Sequence, residues 1–322
     1  MTISQLFLQS ILTPSVLFFI LGGVAGLIRS DLKIPESISR FLSLYLMIAI
    51  GFKGGVALAD TPCIDGQILL TLFCGVGIGF LQPFIAFACL KATTPLDRAT
   101  AAAVAAHYGS ISVVTFVAAV SFLMESHVLY AGYMVAVLAL MEAPAILSGL
   151  LIAQQGQGER HRTHHLREIF TSGPIVLLMG ALIIGALTGQ DGLKRMNGFL
   201  IEPFQGFLAL FLLDMGLLVA RHAPEMKAFR LSVFAFGLYM PLIGATLGLG
   251  LSTLLSLDVG TGMLFMVLCA SASYIAVPAA MITALPEAKT AIYIPLTLGV
   301  TFPFNITLGI PFYFWLANQV LS

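Results

Sequence analysis

His107-Tyr108-Gly109-Ser110-Ile111-Ser112 interrupts an apolar stretch that otherwise runs from Ala99 to Phe122. Ser271-Ala272-Ser273-Tyr274, followed by Pro278, interrupts the stretch from Gly260 to Thr283 in the same way. Small polar clusters of this kind are unfavourable in hydrocarbon unless they line a protein cavity, because no water is there to bond the backbone they free. Each falls in the fourth apolar segment of its half of the chain. Two breaks at matching positions point to one shared binding site near the bilayer midplane. Membrane transport is the leading reading.

The composition around these breaks agrees. Of 322 residues, 59% are hydrophobic and only 9% charged, whereas a soluble domain carries roughly a quarter charged residues. The mean hydropathy is +1.01. Apolar runs recur along the whole sequence, most of them long enough to cross about 30 Å of hydrocarbon. They predict an all-α integral membrane protein with the lipid bilayer as its surroundings and no soluble domain. Cys63, Cys74, Cys89 and Cys269 are scattered and read as ordinary membrane-helix residues. No basic groove interleaved with aromatics suggests nucleic acid. The first span lacks a basic region ahead of it and is expected to be retained, not cleaved.

Ten spans are expected, at 14–28, 38–59, 67–90, 99–122, 128–153, 174–189, 199–220, 229–255, 260–283 and 289–318, the first and sixth being short. Landmarks repeat at an almost constant offset: Pro14 returns as Pro174, Lys53 lies opposite Asp214, and Asp97 opposite Asp258. The broken segments, and then Glu142 and Asn305, follow at slightly larger separations. The ordered series argues for duplication. Five spans per half, an odd number, force opposite orientations. The expected organisation is a first five-helix repeat over 1–153, a linker over 154–173 and a second, inverted five-helix repeat over 174–322, the arrangement of secondary transporters.

Charge placement is a partly independent check. With ten spans, one side receives nearly all Lys and Arg, from Arg29 and Lys33 through Arg160, Arg162 and Arg167 to Lys289; the other receives only Lys194 and Arg195. The positive-inside rule then puts both termini outside the plasma (inner) membrane and the Gln154–Ser172 loop in the cytoplasm.

The two breaks supply the candidate chemistry. Asp97 and Asp258 stand where N-caps belong. Gly109 and Pro278 are expected to open the backbone ladder. Half-helix N-termini offer positive dipole ends and free amides to an anion. Freed carbonyls and the hydroxyls of Ser110, Ser112, Thr115, Ser271 and Ser273 suit a hard cation such as sodium, which prefers oxygen. Any one serine alone also reads as bonded to its own helix or a neighbour. His107 is a proton acceptor, a substrate donor or a packed imidazole; Tyr274 caps the site or packs.

Three charged groups lie inside spans. Lys53 and Asp214 occupy equivalent points, and each needs a partner or water at that depth. They either pair across the pseudo-twofold axis, or Lys53 reaches an interface by snorkelling. Glu142, just before Pro144, is a cation ligand, a coupling carboxylate or a satisfied structural acid. Gly75, Gly77 and Gly79, with Gly244, Gly248 and Gly250, permit close helix approach.

At these residues the chain resembles the sodium-dependent bicarbonate transporter family, the cyanobacterial SbtA type. The resemblance runs over essentially the whole membrane region. It rests on Ile34-Pro35-Glu36-Ser37 leading into Ile50-Gly51-Phe52-Lys53-Gly54-Gly55, on Gly109 to Thr115, and on Met141-Glu142-Ala143-Pro144-Ala145. Ser271 to Pro278, Leu285-Pro286 and Ala291-Ile292-Tyr293-Ile294 complete it. It implies gate and core domains, a site where broken helices cross, sodium-coupled uptake of bicarbonate by an elevator-like motion, and a homotrimer. By matching, the site comprises Gly109, Ser110, Ser112, Thr115, Ser271 and Ser273, with sodium at Ser110, Ser112, Ser271 and Ser273. The chain departs from the cyanobacterial pattern at His107, where that pattern has leucine, and at Tyr274, where it has aspartate. The short central loop argues against regulation by a PII-like protein.

Competing functions are weaker. The same fold carrying another monoanion or an organic acid, with proton coupling through His107 or Glu142, is the nearest. An intramembrane enzyme has little support: Gly-x-Ser-x-Gly and His-Glu-x-x-His are absent. His161, His164 and His165 sit among arginines and read as a solvated loop, not a metal site. A passive channel differs only in gating, which a sequence does not display.

Overall fold

Short polar side chains set where several of the helices start. The Thr13 hydroxyl accepts the Val16 amide at 3.4 Å ahead of α1, Pro14–Leu27, whose first residue is proline. Asp65 accepts the Ile68 amide at 2.9 Å ahead of α3, Gly66–Thr93. Asp97 and Asp258 cap α4, Arg98–Gly109, and α11, Val259–Ala270, by accepting from Thr100 and Thr261 at 2.8 and 3.0 Å. Each such bond satisfies an amide that the helix itself cannot use. The remaining helices are α2 (Glu36–Ala59), α5 (Val113–Glu125), α6 (Met134–Gln154), α7 (Gly173–Met196), α8 (Phe204–Arg221), the short α9 (Ala223–Lys227), α10 (Leu231–Leu254) and α12 (Thr290–Val320). The α12 helix carries π turns at Thr297–Thr301 and Asn305–Gly309.

This computed structural model describes residues 8, 11–60, 65–154, 173–227, 229–274, 277–278, 281 and 285–322. No strand occurs among them. Eight helices are long and apolar enough to span a membrane, counting α4 and α5 together; α1 and α11 are shorter apolar helices. Both spans expected to be short are so: α1 has 14 residues, and the apolar helix that opens α7 ends at the expected residue 189, where Gly189 leaves helical geometry (φ 55°, ψ −148°) ahead of a second helical piece that runs to Met196. The fifth starts at Met134 and not at residue 128, because the preceding segment is held elsewhere: the Ala131 amide donates to Thr261 Oγ1 at 2.9 Å. Nearly all of the 154–173 linker, with the histidines and arginines of the central loop, lies outside the described residues, as does Cys63.

Helix packing follows glycine. On α1, a Cβ at Gly22 would lie 2.0 Å from the Leu213 carbonyl oxygen of α8, and one at Gly216 of α8 would lie 2.1 Å from that of Phe19. The α2–α7 crossing repeats this, with Gly55 1.9 Å from the Leu182 oxygen and Gly185 2.2 Å from that of Phe52. Backbones this close exchange extensive van der Waals contact, which drives helix association where lipid removes the hydrophobic force. Thus α1 and α2 of the first half pack on α8 and α7 of the second. A second group forms as α3 packs on α4 and α6, and α10 on α11, which meets α5 and α12. Burial shows which segment is central: 89% of the most apolar window of α4–α5 is buried, against 22% for α7.

The crossing geometry makes a direct prediction. Gly55→Ala is expected to destabilise the detergent-solubilised protein by about 1–3 kcal/mol through overpacking. Gly77→Ala, with nothing within 4 Å of the added Cβ, should leave the thermal midpoint within error. Equal midpoints for the two variants would contradict the packing.

Candidate functional site

The ladder of α4 stops at Gly109, and Ser110 turns extended (φ −90°, ψ 170°). The ladder of α11 stops at Ala270, and Ser271 does the same (φ −84°, ψ 166°). Both helices have 12 residues, and Asp97 and Asp258, Ser110 and Ser271, and Ser112 and Ser273 share one offset. The break therefore lies in the serine segments. Gly109 is the last helical residue, and its lack of a side chain admits Pro83, whose Cγ would stand 2.2 Å from a Cβ there. Pro278 falls after the extended stretch, in a segment that is again helical.

The two breaks bond to each other. The Ser112 amide donates to Ser271 Oγ at 3.0 Å, and the Ser273 amide donates to the His107 carbonyl at 2.9 Å. Ser112 Oγ accepts both the Thr115 amide, at 3.2 Å, and the Thr115 hydroxyl, at 3.0 Å, so it caps α5. Ser271 Oγ donates to the Leu268 carbonyl at 3.0 Å, and Ser273 Oγ accepts the Val277 amide at 3.4 Å. All of these serines, with Ser110 and Thr115, are buried.

Polar side chains from other helices take up the carbonyls released where α4 and α11 end. Gln82 of α3 donates from its one amide nitrogen to the Tyr108 carbonyl at 2.5 Å and the Cys269 carbonyl at 2.6 Å. Asn305 of α12 donates to the Ala270 carbonyl at 2.9 Å, while its own oxygen accepts from the Tyr313 hydroxyl at 2.9 Å. The Tyr108 hydroxyl meets Thr301 Oγ1 at 2.5 Å, and Thr301 donates to the Gly237 carbonyl at 2.7 Å. By contrast, the first-turn amides of Val113 and Val114 find no acceptor among the described residues. Helix starts leave such donors open. The crossing therefore has its negative ends quenched and a positive end available, which favours an anion.

Ser110 Oγ, Gln82 Oε1 and His107 Nε2 are buried and have no hydrogen-bond partner among the described residues. Buried polar groups are seldom left so. The first two are oxygen donors of the kind a sodium ion takes. His107 is fully buried; its Nδ1 lies 2.6 Å from the Ala103 carbonyl, which fixes the proton there and leaves Nε2 an acceptor. Its ring stands 4.7 Å from that of Tyr293. Tyr274 packs edge-on against Phe302 at 5.3 Å, and its buried hydroxyl likewise has no hydrogen-bond partner among the described residues.

The three intramembrane charges do not join the crossing's bonds, and Lys53 and Asp214 do not pair. The Lys53 ammonium sits over the Phe204 ring, 4.1 Å from its centroid. Asp214 is instead under the electrostatic influence of the Ser39 side chain and Arg221. Glu142 is buried on α6, which packs on α4 and α11, and has no polar partner among the described residues. Gln82 went unread in the sequence. Its signal was a Gln-Pro pair in the middle of an apolar 28-residue helix.

Residues 14–318 match the Na+-dependent bicarbonate transporter superfamily, and the chain belongs to it. No curated protein matches the chain. Membership makes it a multi-pass membrane transporter in a family named for bicarbonate as substrate and sodium as the ion on which transport depends.

Removing the Gln82 amide is expected to leave two buried carbonyls without donors, each worth about 1–3 kcal/mol. Gln82→Leu should therefore lower the thermal midpoint of the purified protein by more than Gln67→Leu, since Gln67 is itself exposed and its bonds to the Leu255 and Ser256 carbonyls are half-buried and exposed. A Gln82→Leu midpoint equal to that of the parent would contradict the staple.

Proposed function

We propose that this chain moves bicarbonate across the membrane together with sodium, binding both where the two breaks cross. The observation that carries the reading is the mutual bonding of the breaks, with stapled carbonyls, open first-turn amides and partnerless oxygens in one buried place. Bicarbonate suits that set chemically. It is a small monoanion whose oxygens accept from the Val113 and Val114 amides, and it carries one O–H donor for an acceptor such as His107 Nε2. Ser110 Oγ and Gln82 Oε1 are the oxygens available to sodium, joined by hydroxyls of Ser112, Ser271 and Ser273.

The scaffold is read as two inverted five-helix repeats over 1–153 and 174–322. Support comes from the shared offset of the capping and break residues and from the reciprocal packing of α1 on α8 and of α2 on α7. On this reading α1, α2, α7 and α8 form the gate. Helices α3 to α6 with α10 to α12 form a core that carries the site past it, with alternating access by an elevator-like motion. The basic loops face the cytoplasm, and both termini lie outside. The apolar, little-buried α7 faces lipid or further copies in a homotrimer.

Uptake of labelled bicarbonate into proteoliposomes is expected to require sodium outside and to concentrate the anion against its gradient. Uptake indifferent to sodium would overturn the coupling, and purely downhill flux would make the protein a channel. Because Ser110 Oγ bonds no described protein group, Ser110→Ala should weaken sodium or bicarbonate affinity by roughly tenfold, the loss of one charge-assisted bond, without shifting the thermal midpoint. Ser112→Ala removes a helix cap and should cost about 1 kcal/mol of stability as well. Unaltered transport constants in both would remove the hydroxyls from the site.

A further inference from the structure

A cavity of about 580 Å³ opens between α2, the end of α5 and the turn into α6. Ile50, Lys53, Met124, His127, Tyr130 and Val135 line it, and none of the residues that make the crossing does. Its walls are set by close packing at two glycines: a Cβ at Gly54 would lie 2.5 Å from the Val135 side chain, and one at Gly132 would lie 2.2 Å from the Ala57 Cβ. Lys53, next to Gly54, is one of the lining residues beside that contact.

Lys53 brings a full positive charge and three N–H donors. Its one recorded partner is the Phe204 ring, a cation–π contact that satisfies one side of the ammonium. No carboxylate lines the cavity, and Lys53 has no ion pair or hydrogen-bond acceptor among the described residues. A cation within a membrane span ordinarily has a counter-charge. His127 adds its ring to the wall from a left-handed backbone position (φ 54°), where a glycine would be unstrained. The cavity is of the size that holds small organic ligands, and Ile50, Met124 and Val135 give it apolar faces.

We propose that this cavity is an anion-binding site separate from the crossing, in which Lys53 holds the carboxylate-type group of a small monoanion. One cation and no further charge select a monovalent ligand, and the apolar walls accept a short hydrocarbon body. Taken with the transport reading, on which this part rests, bicarbonate is gathered here on its way to the crossing, on the membrane side opposite the basic loops.

Benzoate and bicarbonate serve as probes on the whole purified protein. In sodium-free buffer, benzoate is expected to raise the thermal midpoint of the parent protein and of Lys53→Arg, but not of Lys53→Met. Lys53→Cys tests the charge after folding: aminoethyl methanethiosulfonate should restore the benzoate response and the sulfonatoethyl reagent should not, with the parent treated in parallel to register reaction at its native cysteines. In proteoliposomes, Lys53→Met should raise the KM for bicarbonate by roughly tenfold, the scale of lost electrostatic gathering, with a much smaller change in maximal rate. High salt should bring the parent toward the variant. A parent indifferent to benzoate, or a Lys53→Met that responds as the parent does, overturns the site. A benzoate response that depends on Lys53 in a protein carrying no bicarbonate would uphold this site and sink the transport reading instead.

Discussion

A helix that breaks inside hydrocarbon gives up backbone hydrogen bonds, and those bonds have to be replaced by protein. Much of what surrounds residues 107–112 and 271–274 answers that requirement. The breaks replace part of the loss in each other, through the Ser112 amide on Ser271 and the Ser273 amide on His107. Gln82 and Asn305 take three of the released carbonyls. Glycine and proline contacts, such as Gly109 on Pro83, let the supporting helices come near enough to do so. What stays unreplaced, the first-turn amides and a few oxygens, is where a small ion can be held.

The capping and break residues of α4 and α11 recur at one offset, but the chemistry around them differs. Pro83 of α3 has a counterpart in Pro241 of α10, yet Gln82 before the first is matched by Met240 before the second. One amide therefore serves both breaks. Asn305 bonds a freed carbonyl in the second half, whereas its counterpart Glu142 cannot donate while ionised and has no described polar partner. On the proposed duplication, the shared pattern supplies the crossing and single differences between the halves give it a direction of charge. The same holds for the intramembrane charges: Lys53 and Asp214 stand at that same sequence offset but keep different company.

Much of this was readable in the amino-acid order. Breaks in two matching apolar segments identify the central helices because polar clusters in hydrocarbon admit few explanations. Asp97 and Asp258 announce helix starts, and the structure uses them so. The serines at the breaks stood out because hydroxyls beside a break are conspicuous, and the structure brings Ser112, Ser271 and Ser273 into the crossing. Pairing of Lys53 with Asp214 was an inference from symmetry alone, and local contacts defeat it: an aromatic ring on one side, a serine on the other. Gln82 was hidden because a lone glutamine in a long apolar helix looks tolerable until its neighbours in space are known. The end of the sixth apolar run at residue 189 was legible, and Gly189 leaves helical geometry there.

The most direct measurement is a density map of the protein recorded with sodium and bicarbonate present. The account predicts extended backbone at Ser110–Ser112 and Ser271–Ser273, with anion density against the Val113 and Val114 amides and a cation near Ser110 and Gln82. Continuous helices through both segments, or bound ions only at a distance from them, would contradict it.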